Sequence, residues 1–281
     1  MKTRLLTAAV ALPLLFAVII LPRWRPETIW IFVGLAVLAL AAGLFEFFSL
    51  TKKMELKADA ALAYIGSAVF VFAFAVDAPS RAPELLLLIT ALFVIAVLIS
   101  QTFRFQSDFT KMLSAAGVTL LGVFYLAFLG GFLISIRVGF ENSPGISTKL
   151  LLFFFIVIFA SDAGAYFTGK AVGSHKLAPK ISPGKTWEGL TGGIVFAAIA
   201  AAICLATFFP ELPYKYTIPL ACVMAIVGVF GDLAESAIKR GAGAKDAATI
   251  LPGHGGLLDR LDSLLFNAPI LYYFAHFYFT S

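Results

Sequence analysis

The 27 residues from Ser236 to Asp262, SAIKRGAGAKDAATILPGHGGLLDRLD, gather Lys239, Arg240, Lys245, Asp246, His254, Asp259, Arg260 and Asp262. Cations beside glycines suit phosphate groups, and carboxylates suit a hard metal ion. A stretch that offers both points to metal-assisted chemistry on phosphates. Asp259 and Asp262 stand three apart, so on a helical turn their carboxylates converge on one side. With Asp232 as a third ligand from another helix they make an oxygen-rich set suited to Mg²⁺. The competing reading has both acids bonded to Arg260 and Lys245. If their segment is helical, Asp232, Glu235, Ser236 and Lys239 share a face, and Glu235 and Lys239 can pair as a surface ion bridge of little worth. His254 sits in the turn Pro252-Gly253-His254-Gly255-Gly256, where backbone can approach a ligand closely. It suits a general acid, a phosphate donor or a bonded structural histidine. Three scattered histidines, His175, His254 and His276, argue against zinc.

A second polar group lies upstream. Asp162 and Tyr166 are four apart on one helix face, at the end of an apolar run. Gly169, Lys170, His175 and Lys176 follow, then Pro179-Lys180-Ile181-Ser182-Pro183-Gly184-Lys185-Thr186-Trp187-Glu188-Gly189. Ser182 to Thr186 looks like the end of a P-loop. That motif requires a glycine where Pro179 stands, and no strand precedes it, so the P-loop reading fails. Backbone NH groups, Lys185 and the Thr186 hydroxyl still precede a helix expected near Trp187, and helix N-termini attract anions. A plain helix cap with a snorkelling lysine explains the same residues.

The surroundings of these groups are almost wholly apolar. Of 281 residues, 60% are hydrophobic and 13% charged, with a mean hydropathy of +0.96. Soluble domains carry about 25% charged residues. The composition specifies an all-α polytopic membrane protein, not a β-barrel, which would show short alternating segments. Nine candidate spans run over 5–21, 29–50, 60–76, 85–100, 112–136, 150–169, 189–209, 217–233 and 263–279. The first is read as a retained helix and not a signal peptide, because no small-x-small cleavage site follows it. Cys204 and Cys222 lie inside apolar runs and read as core residues.

With nine spans, alternate loops hold 15 lysines and arginines on the N-terminal side against 6 on the other. The positive-inside rule then places the N-terminus and both polar loops in the cytoplasm. The margin rests partly on the polar loops: without them it is 7 against 6. The net charge of +5 reads as topology and affinity for anionic lipid, not nucleic-acid binding. No internal repeat or soluble domain is visible. The chain reads as one membrane-embedded domain, with N-terminal spans over 1–149 and a catalytic portion over 150–281 whose polar loops are 170–188 and 234–262.

The run Ser236-x-Ile238-Lys239-Arg240-x4-Lys245-Asp246-x-Ala248-x2-Leu251-Pro252-x-His254-Gly255-Gly256-Leu257-x-Asp259-Arg260-Leu261-Asp262 resembles the signature of the phosphatidate cytidylyltransferases, or CDP-diacylglycerol synthases. Lys176-Leu177-x-Pro179-x-Ile181-Ser182-Pro183-x-Lys185-Thr186-x-Glu188-Gly189 is similar to the same family. The chain departs from it at Ala163, where Thr or Ser is frequent, and at Lys170, where Arg is. The resemblance implies a bacterial inner-membrane enzyme that makes CDP-diacylglycerol and pyrophosphate from CTP and phosphatidic acid. It implies Mg²⁺, with room for a second, monovalent cation such as K⁺ beside it, and a homodimer. It also implies roles. Asp232 and Asp259 would bind metal, with Asp262 and Asp246 as further candidates. Lys239, Arg240, Lys245 and Arg260 would hold phosphates, and His254 would meet phosphate or pyrophosphate. Asp162, Tyr166, Lys176, Ser182, Lys185, Thr186, Glu188, Ser236, Gly255 and Gly256 would complete the substrate pocket.

Two other classes use similar residues. An ion-coupled transporter would show inverted repeats and helices broken at mid-membrane, whereas these polar residues cluster at one face. A CDP-alcohol phosphotransferase would space its acids D-x3-D on one helix, whereas Asp259 and Asp262 are D-x2-D. A structural scaffold needs no such concentration of ionisable groups.

Overall fold

The computed structural model of the chain describes residues 2–106, 108–140, 145–247 and 256–280. The helices are α1 (Lys2–Ile20), α2 (Ile29–Lys53), α3 (Ala60–Ala75), the short α4 (Ala78–Arg81), α5 (Pro83–Arg104), α6 (Phe109–Val123), α7 (Leu129–Val138), α8 (Ile146–Val172), α9 (Trp187–Thr207), α10 (Tyr214–Gly241) and α11 (Leu258–Thr280). A π turn, Phe124–Phe128, joins α6 to α7 into one rod. The expected all-α membrane architecture is what forms. Among the described residues, six helices are long and apolar enough to cross a membrane, including the run read as 85–100, which extends over Pro83–Arg104. The 16 residues of α3 give about 24 Å, short of a hydrocarbon core of about 30 Å.

Two departures from the sequence reading bear on the site. The segment 170–188 is not a plain loop. It carries an antiparallel hairpin, β1 (Lys176–Ala178) and β2 (Ser182–Thr186), in which Lys176 faces Thr186. Its tight turn closes where the Ile181 amide donates to the Ala178 carbonyl at 3.1 Å. The segment 234–262 is not all loop either, because α10 runs on to Gly241 and α11 begins at Leu258. No proline or glycine interrupts Ala234 to Arg240, so the helix continues through Lys239 and Arg240.

Without water to drive helices together, association inside a bilayer depends on close contact between backbones and between side chains. Small residues supply the first kind at the α8–α9 seam. A Cβ on Gly164 would stand 2.5 Å from Phe196, and one on Gly192 would stand 2.2 Å from Thr168. Aromatic edges supply the second. Phe70, Phe93, Phe124, Phe128, Phe74 and Phe132 form a chain of tilted and edge-to-face contacts across α3, α5, the π turn and α7.

The turn after α2 is tightly specified. The Glu55 amide bonds to Lys52 O at 3.1 Å and the Leu56 amide to Thr51 O at 3.0 Å, the paired bonds of a Schellman cap. Its left-handed position, with φ of 61°, is held by Glu55 where glycine is usual. Glu55→Gly is therefore expected to stabilise the fold by about 1 kcal/mol. Thermal unfolding in detergent checks this, and a lower midpoint would contradict it. Downstream, Asp59 caps α3 through the Leu62 amide at 3.1 Å and accepts from Ser100 Oγ at 2.6 Å. Partial burial opposes its charge, but the Ser100 hydroxyl, the Leu62 amide, Arg104 and Gln101 hold the carboxyl below the usual range. That contribution is present above the unfolded pKa and is lost as pH falls through the folded one.

Candidate active site

The C-terminal half of α8, the hairpin, the start of α9, the end of α10 and the start of α11 enclose a cavity of about 530 Å³. That is within the range of small-molecule sites, roughly 300–1,000 Å³. Ten charged or polar residues singled out from sequence line it: Asp162, Tyr166, Lys170, Ser182, Lys185, Thr186, Asp232, Asp259, Arg260 and Asp262. The helical spacing of Asp162 and Tyr166 does place both on the cavity side of α8.

The acids converge because α10 and α11 meet at a glycine. A Cβ on Gly231 would stand 2.5 Å from the Asp262 carbonyl oxygen, so only glycine permits this approach. Asp232, the next residue, then faces Asp262. One carboxylate oxygen from each of Asp232, Glu235 and Asp262 lies within 4.8 Å of the others. An all-oxygen set of three carboxylates fits a hard divalent cation and offers nothing to a soft one. Lys185 Nζ stands 2.7 Å from Asp232 Oδ2, and Ser236 Oγ donates to Asp232 Oδ1 at 3.2 Å.

Glu235 and Lys239 do pair, at 2.6 Å, but not on the surface: the Glu235 side chain is 0% exposed and that of Lys239 12%. Lys239 also reaches across to α11, with Nζ 2.5 Å from Asp259 Oδ1. The other oxygen of Asp259 accepts from the amides of Gly256 at 2.8 Å and Ala247 at 3.2 Å. Asp259 thus ties the start of α11 to Ala247 and Gly256, as well as forming a wall of the cavity.

Several candidates stand away from the cavity wall. Arg240 donates to the carbonyls of Ile181 and Ala244, each at 3.2 Å, and so fastens the hairpin turn to the end of α10. Glu188 takes the His175 ring nitrogen at 2.6 Å and the His175 amide at 3.2 Å, clasping the hairpin base to α9. Thr186 does line the cavity, but it is buried and caps α9 by accepting the Gly189 amide at 3.1 Å, so the helix-cap reading holds for it. Lys176, Lys245 and Asp246 are exposed. His254 and Gly255 lie outside the described residues, whereas Gly256 is buried.

The residue that sequence reasoning missed is Glu46. It sits within α2, 0% exposed. Its Oε1 accepts the Leu257 amide at 2.9 Å and its Oε2 the Leu258 amide at 2.7 Å. A carboxylate at a helix N-terminus satisfies orphan donors and opposes the helix dipole. Glu46 thereby fixes the start of the helix that carries Asp259, Arg260 and Asp262. The signal was present, since a lone carboxylate inside an apolar span is costly and calls for a partner. Glu46→Gln keeps one acceptor and loses the other. We expect kcat to fall about tenfold to a hundredfold, as for other groups that orient a site from behind. Glu46→Asp should recover part of the loss, and steady-state kinetics of the two variants checks this. Equal activity in wild type and Glu46→Gln would contradict it.

The model of the cytidylyltransferase family matches residues 2–278. The phosphatidate cytidylyltransferase of Bacillus subtilis (strain 168) is 34% identical over 281 residues, covering 97% of each chain. That of Haemophilus influenzae (strain ATCC 51907 / DSM 11121 / KW20 / Rd) is 43% identical over 144 residues, 50% of this chain and 49% of that protein. That of Brucella suis biovar 1 (strain 1330) is 42% identical over 167 residues, 59% of each.

Proposed function

The chain belongs to the cytidylyltransferase family, and from that premise we propose how its cavity performs the reaction of a CTP:phosphatidate cytidylyltransferase. The enzyme joins CMP from CTP to phosphatidic acid, giving CDP-diacylglycerol and pyrophosphate. The observation that carries the site assignment is the convergence of Asp232 and Asp262, with buried Glu235 behind them, within 4.8 Å beside a cavity also lined by Lys170, Lys185 and Arg260. Carboxylates to hold a cation and cations to hold phosphates are what a nucleoside triphosphate meeting a lipid phosphate requires.

The step forms a bond from an oxygen of the lipid phosphate to the α-phosphorus of CTP. The bond from that phosphorus to the β-phosphate oxygen breaks, and pyrophosphate leaves with the electron pair. The second pKa of a phosphate monoester is about 6, so the nucleophile is already ionised near neutrality and needs no protein base. The work left to the protein is placing two anions against each other and neutralising them. Lys185 and Arg260 suit phosphate oxygens, with Lys170 at the outer part of α8. Asp232 and Asp262, with Glu235 beside them, are the residues that would hold Mg²⁺. Bound there, Mg²⁺ would neutralise and orient the triphosphate. Asp259 stays a metal-ligand candidate on the wall, and Lys239 keeps it and Glu235 in place.

The excess of lysine and arginine on the N-terminal side supports a cytoplasmic mouth for the cavity in a bacterial inner membrane, the side on which CTP is found. A homodimer follows from the family resemblance and is proposed on that ground alone. The experiment is incorporation of radiolabelled CTP into lipid by purified protein given phosphatidic acid, with Mg²⁺ and with a chelator. Label in CDP-diacylglycerol that vanishes with chelation and returns with Mg²⁺ is the expected result. Full activity under chelation would overturn the metal assignment, and label in another product would overturn the substrate.

A further inference from the structure

A second concavity, of about 610 Å³, opens between the α2–α3 turn and the α5–α6 turn and shares no lining residue with the catalytic cavity. Its walls carry Lys52, Lys57, Arg104 and Lys111 against a single carboxylate, Glu55, and its apolar part includes Phe48 and Leu56. We infer that this concavity binds the phosphate headgroup of an anionic membrane phospholipid, as a site separate from the one where phosphatidic acid reacts.

Four observations carry this beyond a general excess of positive charge. The cations come from the end of α2 and the turn after it, and from the end of α5 and the start of α6, far apart in sequence, yet face one hollow. Arg104 is held in place, with Nη1 donating to the Ala58 carbonyl at 3.1 Å, and Lys111 is oriented by Asp108 at 2.7 Å. The lip is built with a left-handed Glu55, a conformation that costs energy and recurs at ligand clamps. The hollow also lies on the face where the catalytic cavity opens, because Met54 of this turn packs on Gly241 at the end of α10, with Met54 Cε 3.0 Å from a Cβ built on that glycine.

The choice of a lipid over free phosphate follows from the neighbouring surface. Phe45 on α2 and Phe103 on α5 are 59% and 69% exposed on the same helices that end at the hollow. A phosphodiester can sit among the cations while its acyl chains lie along those apolar faces. Basic pockets between helices at the cytoplasmic surface are the usual form of such recognition. A phosphodiester headgroup carries one charge. Glu55 balances one lining cation, Asp108 pairs with Lys111 and Asp59 interacts with Arg104, which still leaves net positive charge in the hollow to attract it.

The test uses full-length protein in phosphatidylcholine nanodiscs titrated with fluorescent phosphatidylglycerol, which cannot serve as the phosphomonoester nucleophile. The variant Lys52→Gln/Lys57→Gln/Arg104→Gln is expected to bind it about a hundredfold more weakly, at roughly fivefold per cation. Its CTP incorporation at saturating phosphatidic acid should be unchanged. A charge-matched control, Arg23→Gln/Arg25→Gln/Lys215→Gln, should bind like wild type. If the triple variant does not fold, Lys57→Gln alone should show about a fivefold loss. Equal weakening in the control, no weakening in the hollow variants, or displacement of the lipid by excess inorganic phosphate would each overturn the proposal.

Discussion

Asp232→Asn is expected to lower CDP-diacylglycerol formation by about a thousandfold or more, while leaving the protein as stable as before. Asp232 stands where α10 and α11 touch, facing Lys185 at 2.7 Å, with carboxylate oxygens of Glu235 and Asp262 within 4.8 Å. The amide keeps the shape and removes the charge, and so removes a cation ligand from the place where a triphosphate must be neutralised. Losing one preorganised charge-stabilising group commonly costs about a hundredfold to a thousandfold in kcat. A metal ligand should sit at or beyond the top of that range. Stability moves little because two effects oppose each other. The ion pair with Lys185 is lost, but repulsion among three clustered carboxylates is relieved, as is common when a functional site is disarmed. Radiolabelled CTP incorporation and thermal unfolding, measured on the same preparation, check both halves. Residual activity within tenfold of wild type would remove Asp232 from the metal site. Matching loss of activity and of folded protein would make its role structural.

Lys239→Met should have the opposite profile, with a large loss of stability that carries activity with it. Lys239 bridges Glu235 at 2.6 Å and Asp259 at 2.5 Å, and all three side chains are at most 13% exposed. Methionine fills a similar volume and leaves two buried carboxylates facing each other without a cation. Breaking a buried pair from one side costs about 3–5 kcal/mol, since the remaining charge stays desolvated. Adding Glu235→Gln to Lys239→Met should return part of that stability by removing one orphaned charge, and unfolding midpoints of the four proteins in this cycle measure the coupling. If the double variant were no more stable than Lys239→Met, the bridge would not be the source of the loss. Lys239 thus lies behind the site, whereas the resemblance alone had placed it on phosphate.

What could be read in advance divides along physical lines. Long apolar runs announce helices because a bilayer leaves the backbone few other ways to satisfy itself. Lys185, Asp232, Asp259 and Asp262 announced themselves because ions are costly beside lipid. Pairing was harder. The i,i+4 rule found Glu235 with Lys239 but not their burial, which depends on α11 packing over them. The i,i+3 rule put Asp259 and Asp262 on one side, yet Asp259 turns one oxygen to the amides of Gly256 and Ala247, contacts that helical spacing does not announce. The hairpin over Lys176–Thr186 is two short strands with prolines and glycine, which carry almost no periodic signal. Gly231 is one of 23 glycines, and nothing but its contact with the Asp262 carbonyl distinguishes it.

The bond between Glu46 and the start of α11 spans more than 200 positions of chain, and this sets an order of events during synthesis. α2 enters the membrane long before Leu257 and Leu258 leave the ribosome. Until then Glu46 is a carboxyl group in an apolar helix without the amides that later receive it. A charged acidic residue at the centre of a helix raises its insertion cost by roughly 2.5–3.5 kcal/mol, which the otherwise strongly apolar α2 can absorb. A helix made more than 200 residues later, α11, is therefore the one that completes both the first half of the protein and the reaction site. A chain stalled before α11 would carry an exposed intramembrane acid, a mark by which membrane quality control could tell unfinished enzyme from finished.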